Sequence, residues 1–131
     1  MPKKYQRKKQ ELVLVVDDDP GVQDLTRDFL ELYGHSVLIA GNRGDAVTLC
    51  EQCGKDISVV LLDVMASETA SFDLFQKILA INPATKIIVT SVYSHQWNDT
   101  DVFNRGAAGF LKKPYRMSEL LKMVEGAQET Q

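Results

Sequence analysis

The sequence predicts an α/β fold in which five parallel strands form one doubly wound sheet with helices on both faces. Short apolar runs rich in β-branched residues alternate five times with amphipathic stretches of helical period. The runs are largely apolar, and residues 12–16 are apolar at every position, which is typical of parallel strands buried on both faces. The length of 131 residues suits one domain. Right-handed crossovers then favour the strand order 2-1-3-4-5.

The first strand and helix are bounded by clear signals. Residues 12–16 (LVLVV) form the strand, and residues 20–33 have the spacing of an amphipathic helix. Asp19 followed by Pro20 predicts an N-cap and a first helical position rather than a metal ligand. Gly34 predicts the end of the helix. The residues expected on its apolar face are Val22, Leu25, Phe29, Leu30 and Tyr33.

The same alternation continues to the end of the chain. The fourth helix has the weakest pattern; it contains Trp97 and Phe103, and Gly106 is expected to end it. Trp97 fits core packing and a partner surface equally well. The remaining predicted elements are strand 36–40, helix 44–53, strand 57–62, helix 72–81, strand 86–91, helix 95–105, strand 108–111 and helix 117–126.

Composition narrows the function classes. No apolar run approaches the roughly 20 residues of a membrane-spanning helix, and the start lacks the apolar stretch of a signal peptide, so we expect a cytoplasmic protein with no membrane contact. Residues 1–10 are predicted to be a basic flexible tail, residues 11–128 the domain, and residues 129–131 a short C-terminal tail. The acidic domain argues against direct nucleic-acid binding.

Cys50 and Cys53 form a C-x-x-C segment. Such a segment can be a redox pair or half of a zinc site. No second metal pair exists in the sequence, His35 and His95 are isolated, and the segment ends a predicted helix instead of opening one. We therefore interpret both cysteines as small buried residues.

Acidic, hydroxyl and basic side chains lie at the carboxyl ends of four of the predicted strands. Because the carboxyl ends of parallel strands meet at one edge of the sheet, these side chains are expected to share one rim beside the switch point between strands 1 and 3. They are Asp17 and Asp18, then Asp63, then Thr90 and Ser91, and finally Lys112, Lys113 and Pro114.

This rim predicts a magnesium-dependent phosphoryl site. Three carboxylates at close range cannot all stay ionised without a compensating cation, and Lys113 supplies a single positive charge. Oxygen ligands of this kind suit Mg²⁺, which is often coordinated by protein carboxylates and a phosphate together. An Asp carboxylate can also act as the nucleophile toward a phosphoryl group.

The sequence resembles the receiver domain of two-component response regulators, of the kind found in chemotaxis regulators. The resemblance covers about residues 11–127. It rests on four segments in the expected order, one for each strand that reaches the predicted rim. They are VVDDD at 15–19, VVLLD at 59–63, IIVTS at 87–91 and GAAGFLKKP at 106–114. This resemblance implies the flavodoxin-like topology already favoured above.

The resemblance implies a role for each rim residue. Asp63 would be the phosphoacceptor. It would also join Asp17, Asp18 and the backbone carbonyl of Met65 in holding Mg²⁺ or Mn²⁺, with Asp18 the more direct ligand of the acidic pair.

Three further residues would carry the switch. Ser91, preferred over Thr90 because its spacing to Gly106 fits the family, would hydrogen-bond the phosphoryl group. Lys113 would contact a phosphoryl oxygen, with a cis peptide often found before the proline. Phe110 occupies the place of an aromatic residue that rotates on activation. The surface of helix 4, strand 5 and helix 5 would then change.

The resemblance also implies partners and excludes a general catalyst. A sensor histidine kinase or a phosphotransfer protein would supply the phosphoryl group, and a homodimer through helix 4, strand 5 and helix 5 is compatible with the family. The chain contains no output domain, so it is either a stand-alone receiver or lacks an effector. Its only reactions would be self-phosphorylation from small phosphodonors and self-dephosphorylation.

Two alternatives stay open. The first is a degenerate receiver that binds partners without phosphorylation, because Ser67 and Ser71 stand where the family usually has proline and glycine, and Val92 replaces a smaller residue. The second is a haloacid-dehalogenase-like phosphatase, which also uses an Asp nucleophile and Mg²⁺. Its motif would need Thr or Val at Gly21, and multiple turnover of a phosphoester would support it.

Overall fold

The computed structural model describes residues 11–64, 68–92, 94 and 97–129, and only the backbone of residues 68–70. The predicted tail of residues 1–10 and residues 130–131 lie outside the described residues. The strands are β1 (Leu12–Val16), β2 (Ser36–Ala40), β3 (Ile57–Asp63), β4 (Lys86–Ser91) and β5 (Gly109–Lys112). The helices are α1 (Pro20–Leu32), α2 (Arg43–Cys53), α3 (Glu68–Ile81), α4 (Asp99–Asn104) and α5 (Met117–Glu129), and a 3₁₀ turn follows α2 at Gly54–Asp56.

The five strands form one parallel sheet in the order β2-β1-β3-β4-β5, which confirms the predicted topology. Val16 pairs with Leu62, so β1 and β3 end side by side at the centre of the sheet. Asp63 pairs with Thr90, which brings the end of β4 to the same edge. The register therefore gathers the carboxyl ends of the central strands at one rim.

Two apolar cores flank the sheet. Helices α2, α3 and α4 cover one face, where Leu14, Val60 and Phe75 are buried. Helices α1 and α5 cover the other face, where Val13, Leu30, Leu61, Leu120 and Val124 are buried. Burial on both faces explains why consecutive residues of the central strands are apolar. None of the helices in the described residues is long and apolar enough to cross a bilayer.

The caps of α1 follow the sequence prediction, but its apolar face does not. Asp19 is the N-cap, and Oδ1 of its side chain accepts hydrogen bonds from the backbone N–H groups of the first turn. Leu25 and Tyr33, both expected to face inward, are 60% and 54% exposed, whereas Thr26 and Leu30 are buried. The buried stripe is therefore narrower than the apolar pattern indicated, and it includes a threonine that the pattern did not single out.

The structure also corrects the bounds of later elements. Helix α3 begins at Glu68 rather than at residue 72, because its first turn has little apolar periodicity to signal it. Helix α4 begins at Asp99 rather than at residue 95, since Asn98 caps it by accepting a hydrogen bond from the Asp101 N–H at 2.9 Å. Strand β5 is shifted one residue along, and α5 continues past Gly126 to Glu129.

Trp97 is a core residue in the connection that leads into α4. It is fully buried and stacks on Phe72 of α3 with ring centroids 4.0 Å apart. The guanidinium of Arg105, which follows α4, lies 4.0 Å from the Phe72 ring centroid. These contacts hold the short α4 against α3. A helix of six residues is not stable by itself and depends on such packing.

Candidate functional site

Three carboxylates converge at the rim formed by the ends of β1 and β3. Asp17 and Asp18 directly follow β1, and Asp63 is the last residue of β3. One carboxylate oxygen from each lies within 4.8 Å of the others. Asp17 and Asp63 are buried, whereas Asp18 is exposed. The structure thus brings together the acids that the strand pattern placed at one edge.

The three consecutive acids after β1, Asp17 to Asp19, make different contacts. The N–H of Asp17 donates to the Ala40 carbonyl at 3.1 Å, and its own carbonyl accepts from Gln23 Nε2 at 2.5 Å. Oδ1 of Asp17 accepts from the Asp19 N–H at 2.9 Å, while the Asp19 side chain caps α1. Asp17 and Asp18 therefore belong to the rim and Asp19 to the helix.

Asp63 receives two donors on the same carboxylate oxygen. Lys113 Nζ forms an ion pair with Oδ1, and Thr90 Oγ1 donates a hydrogen bond to that oxygen at 3.1 Å. The Lys113 backbone is held in place because its N–H donates to the Ser91 carbonyl at 2.7 Å. The peptide bond between Lys113 and Pro114 is cis, as the family resemblance implied.

The hydroxyl that contacts Asp63 in this structure is that of Thr90, not that of Ser91. Ser91 Oγ donates to the Val92 carbonyl at 2.8 Å. The reason is the register: Asp63 pairs with Thr90, and paired residues of parallel strands point to the same face. Spacing to Gly106 carried no information about this contact. The role of Ser91 toward a phosphoryl group stays a prediction.

Burial and like charges make the rim electrostatically unfavourable for its acids. Burial raises the pKa of the Asp17 carboxyl, and repulsion from Asp63 raises it further, against the opposing effects of the Asp19 amide and Lys113. Burial and the nearby carboxylates of Asp63 and Asp17 also raise the pKa of the Tyr115 phenol. Hard oxygen donors with surplus negative charge are what Mg²⁺ or Mn²⁺ prefers, so the residues fit such an ion.

The other predicted site residues have mixed outcomes. Met65, expected to offer a backbone carbonyl, lies outside the described residues, as does Ser67. Phe110 is partly buried on β5 and packs against the core that contains Trp97. Val92, which stands where the family has a smaller residue, is 66% exposed.

An apolar recess that the sequence analysis missed lies beside the rim, between α1 and the start of α5. Its volume is about 560 Å³, and Leu25, Val92, Pro114, Tyr115 and Met117 line it together with Lys113. The exposed Leu25 was misassigned to the core because helical period alone does not distinguish a core face from an exposed apolar patch.

Cys50 and Cys53 are free thiols at the end of α2. Cys50 is buried, and burial raises the pKa of its thiol to about 11. A thiol with this pKa is protonated at neutral pH and is a poor nucleophile or metal ligand. The aspartate rim is the one group of potential metal ligands in the described part of the chain. The interpretation of Cys50 as a small buried residue is thus confirmed, whereas Cys53 is only half-buried.

Comparisons with known proteins agree with the fold and the rim. The family model of the response regulator receiver domain matches residues 13–125. Protein PilH of Pseudomonas aeruginosa is 31% identical over 114 residues, which cover 86% of this chain and 93% of that protein. The crystal structure of a CheY-like receiver domain protein from Methanospirillum hungatei superposes with a TM-score of 0.81 at 26% identity, covering 92% of this chain and 95% of that one.

Other relatives are much longer. A cyclic di-GMP phosphodiesterase of Thermotoga maritima is 33% identical over 115 residues, which cover 85% of this chain but 29% of that protein. The chain spans between 24% and 29% of the length of the first curated relatives that it matches. The similarity to these longer proteins therefore concerns one domain of each.

Proposed function

The chain belongs to the response regulator receiver domain family, and from this premise we propose that Asp63 accepts a phosphoryl group from a sensor histidine kinase or a phosphotransfer protein. Receiver domains are signalling domains of two-component systems rather than general catalysts. The observation that carries the proposal is the position of Asp63, which ends a buried strand between two further carboxylates and the ammonium of Lys113.

The chemistry of the rim supports in-line phosphoryl transfer. Mg²⁺ or Mn²⁺ would be held by Asp17, Asp18, Asp63 and the backbone carbonyl of Met65, and the ion would neutralise charge on the incoming phosphoryl group. The carboxylate of Asp63 attacks phosphorus, and the bond from phosphorus to the donor nitrogen breaks with its electron pair on that nitrogen. Lys113 and Ser91 then contact phosphoryl oxygens, which bring about −1.5 to −2 charges into the site.

The switch follows from these new contacts. Movement of Ser91 toward the phosphoryl group would open space for Phe110, whose ring already borders the core beneath α4. The surface of α4, β5 and α5 then shifts between two populations. A homodimer or an effector reading that surface is part of the proposal, and so is a cytoplasmic location.

The kinase or phosphotransfer partner is proposed to dock on the apolar recess beside the rim. Leu25 and Val92 are exposed there, and the recess is continuous with Lys113 at the site. Exposed apolar patches of this kind mark partner surfaces. The partner's phosphohistidine would thus arrive next to Asp63.

Family membership disfavours both alternatives. The degenerate receiver is not favoured because the residues that the reaction needs, Asp17, Asp18, Asp63 and Lys113, are all present. A haloacid-dehalogenase-like phosphatase would need Thr or Val where this chain has Gly21, and the family model that matches is that of the receiver domain. We propose that the domain itself catalyses at most two reactions, its own phosphorylation from small phosphodonors and its own dephosphorylation by water.

Labelling by acetyl phosphate tests the proposal. In the presence of Mg²⁺ the wild-type chain is expected to take up one phosphoryl group, measured by intact mass, and Asp63→Asn is expected to stay at background because the nucleophile is gone. The matched control is Asp56→Asn, which changes the acid immediately before the opposite end of the same strand and is expected to label normally. Equal labelling of wild type and Asp63→Asn would contradict the assignment of Asp63.

A further inference from the structure

We propose that Thr90 is a positioning residue of the phosphoacceptor, whose hydroxyl holds Oδ1 of Asp63 so that Oδ2 bonds phosphorus. The inference rests on the proposed function of Asp63. It adds a residue that the family resemblance did not assign, since the resemblance gave the hydroxyl role to Ser91.

The strand pairing fixes the Thr90 hydroxyl. Thr90 is 4% exposed, and its Oγ1 lies 3.1 Å from Oδ1 of Asp63. The two residues are partners in the β3–β4 register, and the N–H of Val64 donates to the Thr90 carbonyl at 3.0 Å. The backbones of donor and acceptor are thus held by the same ladder, so the hydrogen bond is part of the sheet rather than of a loop.

The two donors leave the carboxylate oxygens inequivalent. Thr90 and Lys113 both bind Oδ1, and rotation of the Asp63 carboxylate would break both contacts at once. Among the described residues, Oδ2 has no hydrogen-bond partner. Oδ2 therefore keeps its lone pairs for attack, while Oδ1 becomes the carbonyl oxygen of the aspartyl phosphate.

This arrangement has a consequence for hydrolysis. When water attacks, its oxygen bonds phosphorus, the bond from phosphorus to Oδ2 breaks with its electron pair returning to the carboxylate, and a proton of the water passes to the released phosphate. A carboxylate accepts hydrogen bonds more strongly than the carbonyl of an acyl phosphate. The Thr90 hydrogen bond therefore strengthens as Asp63 leaves, and it shortens the life of the phosphorylated state.

The test is the rate at which label is lost after the phosphodonor is removed in Mg²⁺ buffer. Thr90→Val keeps the shape and removes the hydroxyl, and we expect loss about fivefold slower than in wild type, from the strength of a hydrogen bond to a charged group. Thr90→Ser keeps a hydroxyl, and its rate of label loss should stay within about twofold of the wild-type rate.

Thr85→Val is the matched control. Thr85 is another buried threonine, next to the opposite end of β4, and its Oγ1 donates to the Ile57 carbonyl at 3.1 Å. Its loss should lower stability without changing the lifetime. A second readout is the infrared carbonyl stretch of the aspartyl phosphate, which should rise in frequency when the Thr90 donor is absent. Thr90→Ala provides the same two readouts if the valine variant does not fold.

The outcomes separate the two proposals. Absence of label in wild type, or label that persists in Asp63→Asn, would overturn the proposed function. Label on Asp63 with an unchanged or shorter lifetime in Thr90→Val would overturn the role of Thr90 alone. Complete loss of labelling in folded Thr90→Val would also contradict that role, because Lys113 still binds Oδ1 in this variant and keeps Oδ2 in place for attack.

Discussion

Asp17 is a buried acid beside two others, and this placement opposes the stability of the fold when no cation is bound. Its raised pKa is due first to burial and then to Asp63. The folded chain therefore binds more protons than the unfolded chain above the ordinary carboxyl pKa of about 3.9. The free energy of unfolding should consequently fall as pH rises from the ordinary carboxyl pKa to the raised pKa of Asp17.

Asp17→Asn is expected to stabilise the chain in the presence of EDTA at pH 7 by about 1 kcal/mol, because it removes the buried charge. The amide oxygen can still accept the hydrogen bond that the Asp19 N–H donates to Oδ1. Urea unfolding at several pH values measures the effect, and the variant should lose part of the fall in stability with pH. Asp18→Asn, at the exposed acid of the same group, should change stability less.

Adding Mg²⁺ should make wild type more stable than Asp17→Asn, which is the reverse of the order expected in EDTA. Wild type gains stability by binding the ion in its folded state, whereas Asp17→Asn has lost a ligand and should gain less. If Asp17→Asn were less stable than wild type in EDTA, the carboxylate would be a net stabiliser and the account of the rim would be wrong.

At the scale of the element, the residue that follows α1 shows how backbone conformation sets the end of a helix. Gly34 follows α1 with φ of +90°, where an L side chain is strained although nothing lies within 4 Å of an added Cβ. Gly126 lies inside α5, and an added Cβ there also meets nothing within 4 Å. The two positions therefore share open space for an added Cβ and differ in backbone conformation.

Gly34→Ala is expected to destabilise the chain by about 1 kcal/mol, because alanine is strained in the left-handed conformation. Gly126→Ala should stabilise it by about 0.5 to 1 kcal/mol, because alanine is the better helix former. Thermal unfolding of both variants beside wild type measures the difference. Changes of the same sign would contradict the assignment of opposite backbone conformations.

Helix α4 shows where element prediction fails. Trp97 and Phe103 suggested a longer helix of which both were part, yet Trp97 precedes the helix and Phe103 is 47% exposed. Asn98 starts the helix instead, since its side chain caps the first turn. The aromatic pattern therefore did not identify the helix, because Trp97 is buried in the connection before α4 and Phe103 is exposed on α4.

At the scale of the whole molecule, the sheet is shared by two cores. Leu120 lies in the core under α1 and α5, whereas Trp97 lies on the opposite face, stacked on Phe72. Neither core can lose its packing while the strands stay paired, because every central strand contributes to both faces. The described domain should therefore unfold as one cooperative unit.

Leu120→Ala tests this coupling. The side chain is fully buried, so its truncation should cost about 2 to 5 kcal/mol. Trp97 is the single tryptophan of the chain, and its emission reports the opposite face. The urea transition followed by Trp97 emission should shift as far as the transition followed by circular dichroism. A fluorescence transition that stays at the wild-type position would show that the two faces unfold separately.

The sequence by itself determined the parallel sheet, its strand order and the rim where Asp17, Asp18 and Asp63 meet. Apolar runs and helical period are local signals, and the geometry of a parallel sheet brings the carboxyl ends of its strands to one edge whatever the loops contain. The acid at the end of β3 could thus be placed beside the pair after β1 without coordinates.

Only the tertiary structure decided which hydroxyl contacts Asp63, on which oxygen, and which apolar residues of α1 stay exposed. These facts depend on the register between β3 and β4 and on how helices pack over the sheet, and packing forces act between residues far apart in the chain. Thr90 and Ser91 are neighbours of similar chemistry. The pairing of Thr90 with Asp63, rather than any property of either hydroxyl, separates their roles.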